Sequence, residues 1–288
     1  MNFEEFNNLS TEAAAQHLLN CCGSVKWQQQ MMENISFKDV NELISTMQKI
    51  WYKECGEKDW LEAFTHHPKI GDVKSLTEKF AATKDLAGNE QKSVHNASVE
   101  IINNLANANS EYEEKFGFIF IVCATGKTAE EMLRLLNDRL QNNKREEINI
   151  AMGEQNKITF LRLKKLFVKE DWSTIMPCQL TTHVLNTSIG KPGKDITIRL
   201  QKINGELWET FAQGITNEDG RAGDLLPAGL TLNANKYKIV FETEAYFRNE
   251  NIITFYPSVD IQFNIFDNAH YHVPLLINPF GYSTYRGS

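Results

Sequence analysis

Cysteine is scarce in this sequence of 288 residues: there are five, Cys21, Cys22, Cys55, Cys123 and Cys178. The count is odd and no two stand in a CxxC pair, which argues against a disulfide framework or a thiolate zinc site and fits a reducing cytoplasm. Also missing is any stretch long and apolar enough to span a bilayer. The opening residues, MNFEEFNNL, are acidic and lack an apolar run, so they read as neither signal nor transit peptide. No basic stripe occurs and the net charge is -7, so nucleic acid is not an expected partner. Internal repeats and low-complexity tracts are absent. What is there, 42% hydrophobic and 23% charged residues, is the composition of a soluble globular chain long enough for two domains with separate cores.

The first part has the period of helices. Ser10 is placed to cap a helix through AAAQHLL that Gly23 stops. In VNELISTMQKIWYKEC, Leu43, Ile44, Met47 and Trp51 fall on one face. NEQKSVHNASVEIINNLANANSEYEEKF repeats that spacing through Val94, Val99, Ile102 and Leu105. TAEEMLRLLNDRLQ and NKITFLRLKKLF predict two more helices, the first with glutamates suited to a helix start. Beyond about residue 170 the period falls to two. Ile196, Ile198 and Leu200 alternate with Thr197, Arg199 and Gln201; Tyr237, Ile239 and Phe241 alternate with Lys238, Val240 and Glu242. These are strands with one buried face, separated by the turn-rich pieces GKPGK, NGE, NEDG and LPAG. The expected architecture is multidomain: an all-α helical bundle over 1–167, a linker over 168–178, and an all-β sandwich over 179–288.

Three islands near the C-terminal end carry unexpected polar residues. His183 interrupts the strand-like LTTHVLNTSIGKP, the turn TNEDGR presents Arg221, and in HYHVPLLINPFGYSTYRGS alternation puts His270 and His272 on one face. Each has an ordinary reading: a satisfied or exposed strand histidine, a solvated arginine after a turn, or a pair of metal ligands at i and i+2. Spacing alone does not choose among them. Taken in order, however, the islands resemble the signature segments of the 5-hydroxyisourate hydrolases, the enzymatic relatives of transthyretin, over about residues 178–288. The resemblance implies a transthyretin-like sandwich assembled as a tetramer, with active sites in a channel between dimers. It carries over His183, Arg221 and His272 as catalytic residues and Tyr285, Arg286, Gly287 and Ser288 as substrate contacts. His270 receives no role. Asn186 stands where the family often has aspartate and keeps a comparable hydrogen-bonding shape. The side chains suit the implied ring opening. Histidines near neutral pKa activate and orient water, and an arginine fork holds a planar, oxygen-rich ring.

In the helical part the densest polar motif is FTHHPKIGD, where Pro68 bars the preceding residue from continuing a helix and so leaves His67 at a helix end. The ordinary reading is a surface histidine closing a helix. Glu90 and Gln91 open the long helix, where a glutamate favours the dipole. KFGFIFIVCATGKT reads as core, and Arg162 as the polar edge of an amphipathic helix. Together these segments resemble the decarboxylases of 2-oxo-4-hydroxy-4-carboxy-5-ureidoimidazoline (OHCU) over about residues 3–167. The resemblance places His67 and Glu90 on the catalytic pair and Arg162 on a substrate-binding arginine. Pro68, Gln91 and the backbone of Phe120, Ile121, Val122, Cys123 and Ala124 fall on the substrate pocket. Ala87 occupies a pocket position where the family often has serine, so a hydroxyl contact is lost, and Lys92 replaces a smaller residue.

The two implied reactions are consecutive. The C-terminal domain would hydrolyse 5-hydroxyisourate to OHCU, and the N-terminal domain would decarboxylate OHCU stereospecifically to (S)-allantoin. No cofactor and no metal is expected. The expected partners are small purine-derived substrates, without nucleic acid or membrane. A cytoplasmic homo-oligomer is expected, a tetramer through the sandwich with dimer contacts through the helices. Three readings compete: a transthyretin-like carrier, which the paired histidines and the YRGS segment disfavour; a degenerate helical scaffold, which Ala87 keeps open; and a metal hydrolase using His183, His270 and His272.

Overall fold

The computed structural model describes residues 1–67 and 99–287. Helices α1 (Phe3–Asn7), α2 (Thr11–Cys22), α3 (Val25–Glu33), α4 (Val40–Lys49) and α5 (Glu57–Thr65) precede the longer α6 (Val99–Phe116), α7 (Ala129–Arg139) and α8 (Lys144–Leu166). Ser10 accepts from the Ala13 N–H, and Gly23 closes α2 in the left-handed region at φ +88. A Cβ on Gly23 would stand 2.8 Å from that of His66, so this glycine also lets the end of α5 sit against the end of α2. Leu43, Ile44, Met47 and Trp51 are all buried, as their spacing predicts. The helix does not run on, because a π-helical turn, Ile50–Glu54, follows α4. There Trp51 is buried with its indole N–H on the Met152 carbonyl, 2.9 Å away.

Helix α8 is twice as long as the segment NKITFLRLKKLF that predicted it. Its earlier turns lack a clear apolar period because they bury polar residues, Glu147, Glu154 and Gln155. Glu147 lies in a closed network. Arg139 Nε donates to its carboxylate at 2.7 Å, Asn142 Nδ2 at 2.8 Å and the Tyr112 hydroxyl also donates to it. Within the run KFGFIFIVCATGKT, Phe118, Phe120, Ile121 and Val122 are buried in neither helix nor ladder; Arg139 Nη1 satisfies the Ile121 carbonyl at 2.7 Å.

The C-terminal part is a β-sandwich. One sheet has the order β2 (Lys191–Pro192), β1 (Leu180–Asn186), β8 (Tyr271–Asn278), β9 (Gly281–Thr284), with β5 (Arg221–Ala222) also pairing with β1. The other has the order β4 (Leu207–Ile215), β3 (Thr197–Asn204), β6 (Asn235–Phe241), β7 (Val259–Ile265), and a short α9 (Thr243–Asn249) lies between β6 and β7. Ile196, Ile198, Leu200, Tyr237, Ile239 and Phe241 all enter the core between the sheets, as their alternation predicts. Val240, expected on the polar face, is buried too.

The helices cover the outer face of the β4–β3 side. Thr197 donates to Asp138 at 2.6 Å, Thr210 to Glu146 at 3.0 Å, and Asn142 to Gln213 at 3.3 Å. Within residues 168–178, Trp172 meets Phe160 edge-on at 5.5 Å and Gly229 donates to the Met176 carbonyl at 2.8 Å. The opposite sheet, β1–β8, keeps its outer face open. All five cysteines are free thiols. Among the described residues no helix is long and apolar enough to cross a membrane.

Candidate functional site

Strand β1 alternates strictly. Leu180, Thr182, Val184 and Asn186 are buried, which turns Thr181 and His183 to the open face. It runs parallel to β8, with Thr181 opposite His272, and antiparallel to β5, with His183 opposite Arg221. Register partners share a face, so His183, Arg221 and His272 converge on adjacent strands. The turn before β5 is fixed by local bonds. Asn217 Oδ1 accepts from the Arg221 N–H at 2.9 Å and from the Asp219 N–H at 3.1 Å. Gly220 sits at φ +71 with its carbonyl on the Val184 N–H, where a Cβ would lie 2.4 Å from the Val184 oxygen. This close approach is what presents the Arg221 guanidinium beside β1.

The tail completes the constellation. Gly287 donates to the His272 carbonyl at 2.9 Å and lies close against its side chain; a Cβ there would be 2.5 Å from Cδ2 of His272. Arg286 stacks on Tyr271 at 5.2 Å, and Tyr285 is exposed. Thr181 Oγ1 lies 2.9 Å from His272 Nδ1 and 3.0 Å from His270 Nε2. Both candidate bases are held below the usual imidazole range. For His183 the causes are partial burial, then the Arg221 charge, against a hydrogen bond to the Asp219 backbone. For His272 they are partial burial, then Arg221, His270 and His183. Both are therefore neutral at pH 7 and able to accept a proton. His183, His270 and His272 do not form a metal-holding group, and neither does any other set of such residues among the described ones. Asn186 uses both ends of its amide, donating to the Tyr246 hydroxyl at 3.0 Å and accepting from the Ser188 N–H at 3.0 Å.

In the helical part His67 stands at the end of α5, its N–H on the Phe64 carbonyl at 3.2 Å. Its Nε2 is 2.6 Å from Gln155 Oε1 on α8. Gln155 also donates to the Cys22 carbonyl at 3.1 Å, and Arg162, two turns further on, donates to the carbonyls of Asn20 at 3.2 Å and Cys21 at 3.3 Å. One face of α8 thus caps the C-terminal end of α2 and holds His67. Of the backbone 120–124, the Ile121 carbonyl is taken by Arg139 and the Cys123 N–H by Glu154 at 2.7 Å. Pro68, Ala87, Glu90, Gln91 and Ser288 lie outside the described residues.

The profile of the OHCU decarboxylase family matches residues 7–164, and that of the HIUase/transthyretin family matches residues 180–287. The uric acid degradation bifunctional protein TTL of Arabidopsis thaliana is 32% identical, over 93% of this chain and 96% of its own length. The chain belongs to both families. A 5-hydroxyisourate hydrolase of Mesorhizobium japonicum is 43% identical over 38% of this chain and 92% of its own. A crystal structure of (S)-allantoin synthase is 24% identical and covers 100% of both chains at a TM-score of 0.45.

Sequence reasoning missed Gln155, Thr181 and the Asp219 backbone. Gln155 carried no signal in the sequence, since its complete burial comes only from packing. Also missed was a cleft of about 290 Å³ between the two parts, lined by Arg221, Asn217, Lys127, Glu154, Lys157 and Asp224. Two ion pairs line it, Lys127 with Asp224 at 2.9 Å and Lys157 with Glu154 at 2.6 Å.

Proposed function

We propose that this chain converts 5-hydroxyisourate to (S)-allantoin in two steps, ring opening on the β1–β8 face and decarboxylation among the helices. Residues 179–288 are assigned to the hydrolase and 1–167 to the decarboxylase, joined through 168–178. The observation that carries the reading is the convergence of His183, Arg221 and His272 on one open sheet face, with Gly287 packed on the His272 ring.

In the first step a water is placed between the two neutral imidazoles. One takes its proton as the oxygen–carbon bond to the cyclic amide carbonyl forms. Arg221 binds the ring and faces the developing oxyanion with a rigid fork of donors. The carbon–nitrogen bond then breaks and the ring nitrogen takes a proton, leaving a carboxylate. Tyr285, Arg286, Gly287 and Ser288 are assigned to substrate binding. In the second step the carboxylate leaves as carbon dioxide, and its electron pair passes into the adjacent imine-like ring system. His67, with Glu90, positions the proton that returns to one face of that carbon, and Arg162 anchors ring oxygens. Gln155 fixes the His67 ring; a hydrogen bond from one nitrogen decides what the other can do. Assembly into a tetramer through the open sheet face, with helical dimer contacts, and a cytoplasmic location belong to the same proposal.

The test is to add purified protein to freshly generated 5-hydroxyisourate and record ultraviolet absorbance and circular dichroism together. The expected result is accelerated loss of absorbance followed by a dichroic signal of one sign, that of (S)-allantoin. Absorbance decaying at the uncatalysed rate would remove the first step, and a racemic product the second.

A further inference from the structure

One hydroxyl lies between two imidazoles on the open sheet face. Thr181 Oγ1 is 2.9 Å from His272 Nδ1 and 3.0 Å from His270 Nε2. A hydroxyl has one proton, so it donates to one ring and must receive a donor from the other. The three groups are therefore locked into one of two arrangements. Either His270 Nε2–H donates to Oγ1 and Oγ1–H to His272 Nδ1, or His272 Nδ1–H donates to Oγ1 and Oγ1–H to His270 Nε2. Only the second leaves His272 Nε2 with a lone pair for a water molecule. The two differ by a shift of protons along the chain, with no heavy atom moving.

The surroundings give that shift a direction. His272 is faced by the Arg221 cation from β5 and by His183 from β1, and it is partly buried, so holding a full positive charge there is unfavourable. His270 is exposed at the start of β8. We propose that His270 and Thr181 form a proton relay with His272, carrying the proton of the attacking water to solvent. The water proton goes to His272 Nε2, the His272 Nδ1 proton to Thr181 Oγ1, and the hydroxyl proton to His270 Nε2. The hydroxide oxygen bonds to the carbonyl carbon, and the His270 imidazolium releases its proton to solvent. Run backwards, the chain returns a proton through His272 Nε2 to the leaving ring nitrogen. His272 stays neutral at every stage beside Arg221.

The relay rests on the hydrolytic reading above, and three variants separate the two. Thr181→Val removes the hydroxyl at nearly constant volume, Thr181→Ser keeps it, and His270→Gln keeps hydrogen bonding while losing the ability to carry a proton. The expected result is that Thr181→Val and His270→Gln lower kcat for ring opening by on the order of 100-fold, the lower end of the range for a positioned proton-transfer group. KM should hold and Thr181→Ser should restore the rate. In mixtures of light and heavy water the wild-type rate should fall along a curve, as several protons move together, and the rate of Thr181→Val along a straight line. The decarboxylation step in the same chain reports folding. A slow Thr181→Val whose isotope curve matches the wild type would leave Thr181 a structural part alone and overturn the relay. So would full activity in His270→Gln. If His272→Ala itself opens the ring at the wild-type rate, the hydrolytic reading fails instead.

Discussion

Gly287→Ala adds one methyl group and tests why the chain has glycine there. Built on the existing backbone, the new Cβ falls 2.5 Å from Cδ2 of His272, 3.1 Å from Cγ and 3.2 Å from Cβ. Carbon atoms prefer roughly 3.5–4.0 Å, so either the imidazole or the tail moves by about 1 Å. The ring is the harder to move, since Thr181 holds its Nδ1 at 2.9 Å. If the tail lifts, the bond from Gly287 N–H to the His272 carbonyl is lost, which costs about 0.5–1.5 kcal/mol. Global stability therefore changes little, because β8 stays packed in the sandwich core. Activity responds more strongly, since a misplacement of about 1 Å in a catalytic group costs on the order of 100-fold. The assay is the initial rate of ultraviolet loss on fresh 5-hydroxyisourate, with denaturant unfolding of the same samples as control. Wild-type ring opening in a folded Gly287→Ala protein would refute the idea that the tail and His272 form one unit.

Other perturbations follow from the same geometry. Glu147→Gln removes the counter-charge of Arg139, which is only 1% exposed, and should destabilise the chain by about 3–5 kcal/mol in denaturant unfolding; a loss below about 1 kcal/mol would show that the network is dispensable. Arg221→Gln removes a cation that disfavours protonation of both His183 and His272. Both folded-state pKa values should rise, so the acid limb of the ring-opening profile should move to higher pH, as should the imidazole resonances in an NMR titration. Movement to lower pH, or none, would contradict the assigned electrostatics. Gln155→Leu unties His67 Nε2 and should slow decarboxylation while leaving ring opening intact, measured by the ratio of dichroic to absorbance rates.

Much of the fold was legible because its signals are local. Ser10 and Gly23 announce the ends of α2 through capping chemistry. Alternation in 196–200 and 237–241 identified strands because one face meets a core and the other does not. Helix α8 was half missed, since Glu147, Glu154 and Gln155 are buried through bonds to partners far away in sequence, which no periodicity records. The π-helical turn after α4 was likewise invisible, because it redirects the chain without breaking the apolar spacing. At the site, His183, Arg221 and His272 could be named from segments of sequence, and their convergence follows from register. The part of Thr181 could not be read, because a threonine in a strand is ordinary until β8 lies parallel beside it. Nor could Gln155, whose contact with His67 spans 88 positions.

The central claim is that one chain carries two separate chemistries, and crossed variants test it most directly. His272→Ala and His67→Asn are each given fresh 5-hydroxyisourate while absorbance and circular dichroism are followed in one cuvette. His67→Asn should open the ring at the wild-type rate and give no dichroic signal; His272→Ala should leave ring opening at its uncatalysed rate yet yield one enantiomer once a separate hydrolase is added. Loss of both activities in either folded variant, or retention of both, would contradict the account.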